Sequence, residues 1–164
     1  MKIRDAVPAE AAEACEVVRR SIIELCAADH HGDPAHLKRW LGNKTVENFA
    51  AWSGRRDHPL LVAVGAGDIL AVGSVTQAGE ITMNYVSPAA RFRGVSSTLL
   101  AALETRAAAF GNRRCALRSS ETAHRFYRSR GYTDIEMPAE QFGIAPGIPM
   151  VKGLGAAPMG HRPA

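Results

Sequence analysis

The 164-residue chain lacks most of the features that would force an unusual architecture. It has three cysteines, Cys15, Cys26 and Cys115, an odd number with no C-x-x-C spacing. That excludes a disulfide framework and a cysteine-rich zinc site, and it predicts reduced thiols in a cytoplasmic protein. No apolar run approaches the ~18 residues of a membrane-spanning helix. The N-terminal stretch MKIRDAVPAE has no apolar core of the kind a secretory signal needs. Neither GxxxxGK[ST] nor GxGxxG is present, so a P-loop and a dinucleotide-binding turn are both excluded. The adjacent His30 and His31 point apart, and no third ligand follows at a usual spacing, so no metal is expected.

What is present is ordinary for a globular protein: 46% hydrophobic and 22% charged residues, with no internal repeat and no linker. A chain of this size buries roughly 70% of its unfolded surface, enough for a core. Twenty Lys and Arg against sixteen Asp and Glu give a net charge of +4. Arginines cluster within residues 91–93, 113–118 and 125–130, a pattern that suits a phosphate-bearing partner.

Periodicity divides the chain into alternating elements. Residues 2–6 read as a strand. Ala14, Val18, Ile22 and Leu25 recur at helical spacing and predict one amphipathic helix over 9–27. Asp33-Pro34 and Gly42 bracket a short helix, and Thr45 is suited to cap another that carries Val46, Phe49 and Trp52. Apolar runs at 60–64 and 69–75, joined by turn residues 65–68, predict a hairpin, and 81–86 a further strand. Val95, Leu99, Leu103, Ala107 and Phe110 form one apolar stripe closed by Gly111. A strand at 115–119, a helix at 121–130, and strands at 132–137 and 150–154 complete the domain. Residues 155–164 have the composition of a C-terminal tail.

Two segments carry chemistry. In Tyr85-Val86-Ser87-Pro88-Ala89-Ala90-Arg91-Phe92-Arg93-Gly94-Val95-Ser96-Ser97-Thr98, a strand enters a Pro/Gly loop that opens a helix. The first-turn N–H groups of such a helix have no internal acceptor and lie at the positive end of its dipole. Small residues at Gly94, Ser96 and Ser97 admit an anion to the backbone, and Arg91 and Arg93 add charge. The alternative is a plain strand-to-helix connection with solvated arginines. In the second segment, from Ser119 to Tyr132, Phe126 and Tyr127 are neighbours on a short helix and so face different ways. One can pack while the other presents a hydroxyl able to protonate a departing thiolate. Alone, this tyrosine reads equally as a packing residue.

Together the segments resemble the GNAT superfamily of acyl-CoA-dependent N-acyltransferases. The pyrophosphate signature Arg/Gln-x-x-Gly-x-Gly/Ala corresponds to Arg91-Phe92-Arg93-Gly94-Val95-Ser96. The second signature, Asn-x-x-Ala-x-x-Phe/Leu-Tyr followed by Gly-Phe/Tyr, corresponds to Ser120, Ala123, Phe126-Tyr127 and Gly131-Tyr132. Ser96 replaces the usual Gly or Ala and still supplies a small residue with an N–H; Ser120 replaces an Asn that touches pantetheine. Residues 25–30 and 40–45 resemble a bacterial subgroup of mostly unassigned substrate.

The resemblance implies an α/β (α+β) fold: one GNAT domain over 1–154 with a central mixed, mostly antiparallel, splayed sheet flanked by helices. It implies acetyl-CoA as the acyl donor. Tyr85 and Val86 would bond the pantetheine arm through the backbone. Residues Arg91, Phe92, Arg93, Gly94, Val95, Ser96, Ser97 and Thr98 would hold the pyrophosphate, with Ser120 beside the arm. Tyr127 would be the general acid and Glu80, eleven residues before Arg91, the base, unless a water relay serves. Glu80, Thr82 and Asn84 share strand parity and are expected on one face. Glu24, His30, Trp40 and Asn84 are the expected contacts of a small-molecule amine acceptor, with carboxylates and aromatics suited to a cation. No membrane partner is expected, and the acidic residues near the presumed acceptor region count against nucleic acid. A homodimer is the family-level expectation. A tRNA-acetylating toxin and a non-catalytic acetyl-CoA-binding regulator are the alternative readings.

Overall fold

The computed structural model describes residues 1–136 and 147–155. Seven strands form one sheet: β1 (Lys2–Asp5), β2 (Leu60–Gly65), β3 (Asp68–Val75), β4 (Glu80–Val86), β5 (Arg114–Ser119), β6 (Thr133–Asp134) and β7 (Ile148–Gly153), in the order β1-β2-β3-β4-β5-β7-β6. Every neighbouring pair is antiparallel except β4 with β5. The hairpin between β2 and β3 turns on Ala66 and Gly67, both at positive φ (52° and 83°), a combination whose twist matches the flanking strands.

Apolar residues alternate along the strands and so supply both sheet faces. On one face Val62 and Val72 pack with Val18 and Ile22 of α1 (Ala11–Leu25) and Phe49 of α4 (Val46–Trp52). On the other, Leu61, Ala63 and Ala71 pack with Leu99, Leu103 and Ala107 of α5 (Val95–Ala109) and Tyr127 of α6 (Glu121–Ser129). Gly73 lets α5 approach, since a Cβ there would lie 2.8 Å from Leu103 Cδ1. Two short helices, α2 (Ala27–His30) and α3 (Pro34–Leu41), lie between α1 and α4.

Three elements differ from expectation. The helix expected over 9–27 is a 3-10 turn (Pro8–Glu10), then α1, then the separate α2. The break at Cys26 is held by His30, whose Nε2 lies 3.0 Å from the Ile22 carbonyl and 3.1 Å from that of Ile23. These carbonyls lie in the last turn of α1; that of Ile22 also accepts from Cys26 N (3.3 Å), and the His30 ring supplements the helix end there. The strand expected at 132–137 is only Thr133–Asp134, and Met137 lies outside the described residues, as does the tail from 156 onward. Most consequential, β4 carries a bulge: Met83 faces Ser74 but Ile81 faces Val75, leaving Thr82 as the extra residue.

Candidate active site

The bulge corrects the expectation that Glu80, Thr82 and Asn84 share a face. An inserted residue reverses the alternation beyond it. Thr82 Oγ1 bonds Ser74 Oγ (2.8 Å) and the His58 ring (2.9 Å), beside the helices α1 and α4. Asn84 instead pairs with Gly73, whose free side faces α5, and its side chain interacts with Tyr127 of α6.

β4 and β5 pair only at Glu80/Ala116 and Ile81/Leu117. Beyond those pairs β5 bonds β7 over its whole length, and β4 bonds only β3. Among the described residues the β5-facing edge of 82–86 therefore has no strand partner, and Tyr85 and Val86 lie on it. An unpaired edge inside a molecule is a place where an extended ligand can add itself as a strand.

Both parallel strands run into helices that open at the same end of the sheet. The two N-termini are finished differently. In α6, Ser120 Oγ accepts from Ala123 N (3.2 Å), and Asp29 accepts from Glu121 N (2.6 Å), Thr122 N (3.2 Å) and the Thr122 hydroxyl. The first three amides of α6 are thus satisfied by protein groups. In α5, no side chain caps the helix; Gly94 at φ 74° leads into it, and nothing lies within 4 Å of a Cβ placed there. The first-turn N–H groups of Val95, Ser96 and Ser97 have no acceptor within their own helix, and Arg91 and Arg93 are exposed beside this helix start. Phe92, at φ 64°, is 89% exposed and lies under the Arg91 guanidinium, 4.4 Å from its ring centre. A bare 15-residue helix start with open approach is the polar match for a pyrophosphate.

Two residues expected at the cofactor have other partners. Thr98 donates both its N–H (3.1 Å) and its hydroxyl (3.0 Å) to the Gly94 carbonyl. Ser120 Oγ is the α6 cap described above.

Tyr127 is 7% exposed, packed edge-on against Phe126 and Tyr132 at 5.2 and 5.6 Å. Burial pushes its phenol up to about 12, while the Asn84 side chain pulls it the other way by hydrogen bonding. Asn84 Oδ1 is buried with no hydrogen-bond partner, an orphaned acceptor beside Tyr127. Tyr85 presents its hydroxyl to Trp40, whose Nε1 donates at 3.0 Å, and burial raises that phenol as well. Cys26 lies close enough to feel both Asp29 and Arg91; desolvation pushes its thiol up to about 12.

The expected acceptor contacts are mostly committed elsewhere. Glu24 is exposed and pairs with Arg20 (2.8 Å) one turn back on α1. His30 is 4% exposed, with Nε2 on two carbonyls and Nδ1 accepting from Gly32 N (2.9 Å), so its ring has no nitrogen left for a substrate. Trp40 stacks on His36 and spends its N–H on Tyr85. Glu80 is exposed at the paired end of the strands, about 13 Å along β4 from Asn84, the residue that touches Tyr127.

Sequence reasoning missed two groups. Asp29, one of the acidic residues of the presumed acceptor region, is the clasp on α6. His58, not singled out, joins Thr82 at a cavity of about 120 Å³ lined by Asn43, Lys44, Trp52, Ser74 and Met83. No local signal marks either, because their partners lie 92 and 24 residues away.

The family of GNAT acetyltransferase domains matches residues 27–154. Among solved structures, a GCN5-related N-acetyltransferase from Rhodopseudomonas palustris is 26% identical with a TM-score of 0.80, over 93% of this chain and 94% of that one. The PaiA N-acetyltransferase of Thermoplasma acidophilum, solved with coenzyme A, is 17% identical with a TM-score of 0.77, over 93% and 98%. An aminoglycoside 6'-N-acetyltransferase from Enterococcus faecium shares the fold at 14% identity and a TM-score of 0.69, over 96% and 99%. No curated protein sequence matches the chain.

Proposed function

Because the chain belongs to the GNAT acetyltransferase family and so is an acyl-CoA-dependent N-acetyltransferase, we propose that it acetylates the primary amine of a small, amino-acid-like molecule by direct attack, with Tyr127 as general acid. The observation that carries this reading is the bare α5 N-terminus at the end of the unpaired β4 edge. The residues present fit acetyl-CoA. Its pyrophosphate would meet the amides of Val95, Ser96 and Ser97 with Arg91 and Arg93, and its arm the backbone of Tyr85 and Val86. Asn84 Oδ1 offers a waiting acceptor.

When bound, acetyl-CoA supplies an acetyl thioester open to attack by a neutral amine. The open β4 edge holds the extended arm by backbone hydrogen bonds, which fixes where the amine must arrive. Tyr127 keeps its proton throughout the neutral range because its phenol is buried, so the acid form is always the one present. A thiolate formed beside it would be raised by the same desolvation, which narrows the gap between the two acidities. Direct transfer is favoured over an acyl-cysteine route because all three cysteines are buried, and Cys26 and Cys115 are pushed up to about 12 and about 11. Glu80 sits exposed at the paired end of β4, away from the open edge of 82–86, which favours a water relay as the base. The free thiols suit a cytoplasmic enzyme.

The test is calorimetric titration with acetyl-CoA, followed by CoA release with a panel of amines. Saturable micromolar binding and turnover with small amines are expected. Tyr127→Phe should then lower kcat by about a hundredfold or more with acetyl-CoA affinity unchanged. Unchanged turnover in that variant refutes the acid role; absence of acetyl-CoA binding refutes the whole reading.

A further inference from the structure

The cavity that shares Thr82 and Met83 with β4 has an unusual charge balance. Lys44, in the loop between α3 and α4, is 9% exposed, yet its ammonium has only the neutral Asn43 Oδ1 as a partner, at 2.7 Å. Among the described residues no carboxylate pairs with it. A lysine buried to this degree is normally matched by an opposite charge, since burying an unpaired one is costly.

The loop is held in place from below. Arg19 of α1 donates to the carbonyls of Leu41 (3.2 Å) and Lys44 (2.9 Å), and Cys15 Sγ approaches the latter at 3.3 Å. These bonds add cationic charge to the region and no anionic charge. Across the cavity His58, Thr82 and Ser74 form a hydrogen-bonded chain of polar groups. The charged groups facing His58 are Arg55, Asp57 and Glu80, and Arg55 and Asp57 are paired with each other at 3.1 Å. Asn43 Oδ1 is occupied by Lys44, which leaves its amide N–H groups as donors. The walls therefore offer an ammonium, an amide, hydroxyls and the His58 ring around a space of about 120 Å³, with the exposed Glu80 carboxylate outside it on the His58 side.

We infer that the Lys44–His58 cavity binds the carboxylate of the acceptor, making the substrate an amine that carries a carboxylate at the end away from the reacting nitrogen. The inference rests on the acetyl-transfer reading above and specifies its acceptor. A single negative charge balances the single lysine charge, whereas a phosphate dianion would leave an excess in a buried site. Position 82, at the cavity floor, lies about 7 Å along β4 from position 84; Thr82 faces α1 and α4 while the Asn84 side chain faces α5, so a ligand seated in the cavity reaches the open backbone edge of 82–86 rather than the Asn84 side chain. Desolvation holds Lys44 below the usual lysine range, consistent with a cation awaiting its counter-charge.

The experiment uses the full chain loaded with CoA, with CoA binding read first by calorimetry. N-acetylglycine, N-acetyl-β-alanine and N-acetyl-γ-aminobutyrate are then titrated, each beside the amide that lacks its carboxylate: N-methyl-, N-ethyl- and N-propylacetamide. The backbone amide signals of Asn43, Lys44 and Thr82 report binding. At least one carboxylated amide is expected to move them saturably, with its uncharged partner about tenfold to a hundredfold weaker. Lys44→Met is expected to remove that difference while leaving CoA affinity unchanged. The wild-type comparison stands without the variant should Lys44→Met fail to fold. Equal behaviour of charged and uncharged members, or movement by inorganic phosphate alone, overturns the inference while the CoA reading stands. A sample that does not bind CoA overturns the functional reading and the inference with it.

Discussion

Replacing Asp29 with alanine should loosen the helix that carries Tyr127. Asp29 sits in α2, before the acceptor-side helices, yet its carboxylate accepts from Glu121 N, Thr122 N and Thr122 Oγ1 at the start of α6. Charge-assisted hydrogen bonds are worth roughly 1.5–3 kcal/mol each when buried, and a helix cap about 1. Asp29 is half-buried, so water recovers part of this, and Ser120 still caps Ala123 in the variant. The expected loss is therefore about 2 kcal/mol rather than the sum of three bonds. For a domain of this size that lowers Tm by about 4–8 °C. Urea unfolding at neutral pH measures the loss, with Asp29→Asn expected to be intermediate because it keeps an acceptor but not the charge. In the same variants kcat should fall more than acetyl-CoA affinity, since α6 carries Tyr127 while the proposed pyrophosphate cradle lies at the start of α5. If Asp29→Ala unfolds within about 0.5 kcal/mol of wild type, the clasp does not hold α6 and the reasoning fails.

Three further outcomes are expected. The pH–rate profile should show no alkaline decline attributable to Tyr127 below about pH 11, because its acid form persists until the phenol, pushed up to about 12, ionises; a decline near pH 10 that disappears in Tyr127→Phe would contradict this. Gly94→Val should destabilise by about 1–2 kcal/mol through φ 74° alone, since nothing crowds a Cβ there, and should weaken acetyl-CoA binding in calorimetry; normal binding would remove the cradle. Lys44→Met should raise stability at pH 7 by about 1 kcal/mol, by removing a buried unpaired cation. Lys44 is held below its ordinary 10.5, so the folded chain binds fewer protons than the unfolded one in the window beneath that value. Wild-type stability therefore rises with pH there, and the advantage of the variant should shrink across the window; an advantage that grows with pH would refute the assignment.

The order of strands and helices was legible because it rests on local repeats. The α5 stripe of Val95, Leu99, Leu103 and Ala107 buries as its spacing predicts, and the Ala66-Gly67 turn joins the two apolar runs beside it. The two signatures were legible for the same reason: a loop that opens a helix and a Phe-Tyr pair closed by Gly-Tyr are contiguous. The bulge at Thr82 was not. A single inserted residue reverses the faces of β4, and only the register against β3 reveals it, so Asn84 goes to Tyr127 while Thr82 goes to His58.

Residue types followed the same division. That this chain is an acetyltransferase was written in short motifs, because backbone amides at a helix start need only small neighbours and nearby arginines. Which side chains face an acceptor was decided by packing between distant segments. His30 was read as a contact and instead closes α1, because the carbonyls of Ile22 and Ile23 end there and its ring lies within reach. Asp29 finishes α6, a helix that begins 92 residues further along the chain. Lys44 gave no signal, since a lysine in a loop is ordinarily solvated; α1, α4 and β4 close around it only when the sheet forms. Hydrogen bonding and charge burial are set by three-dimensional neighbours, and those neighbours are a property of the assembled sheet.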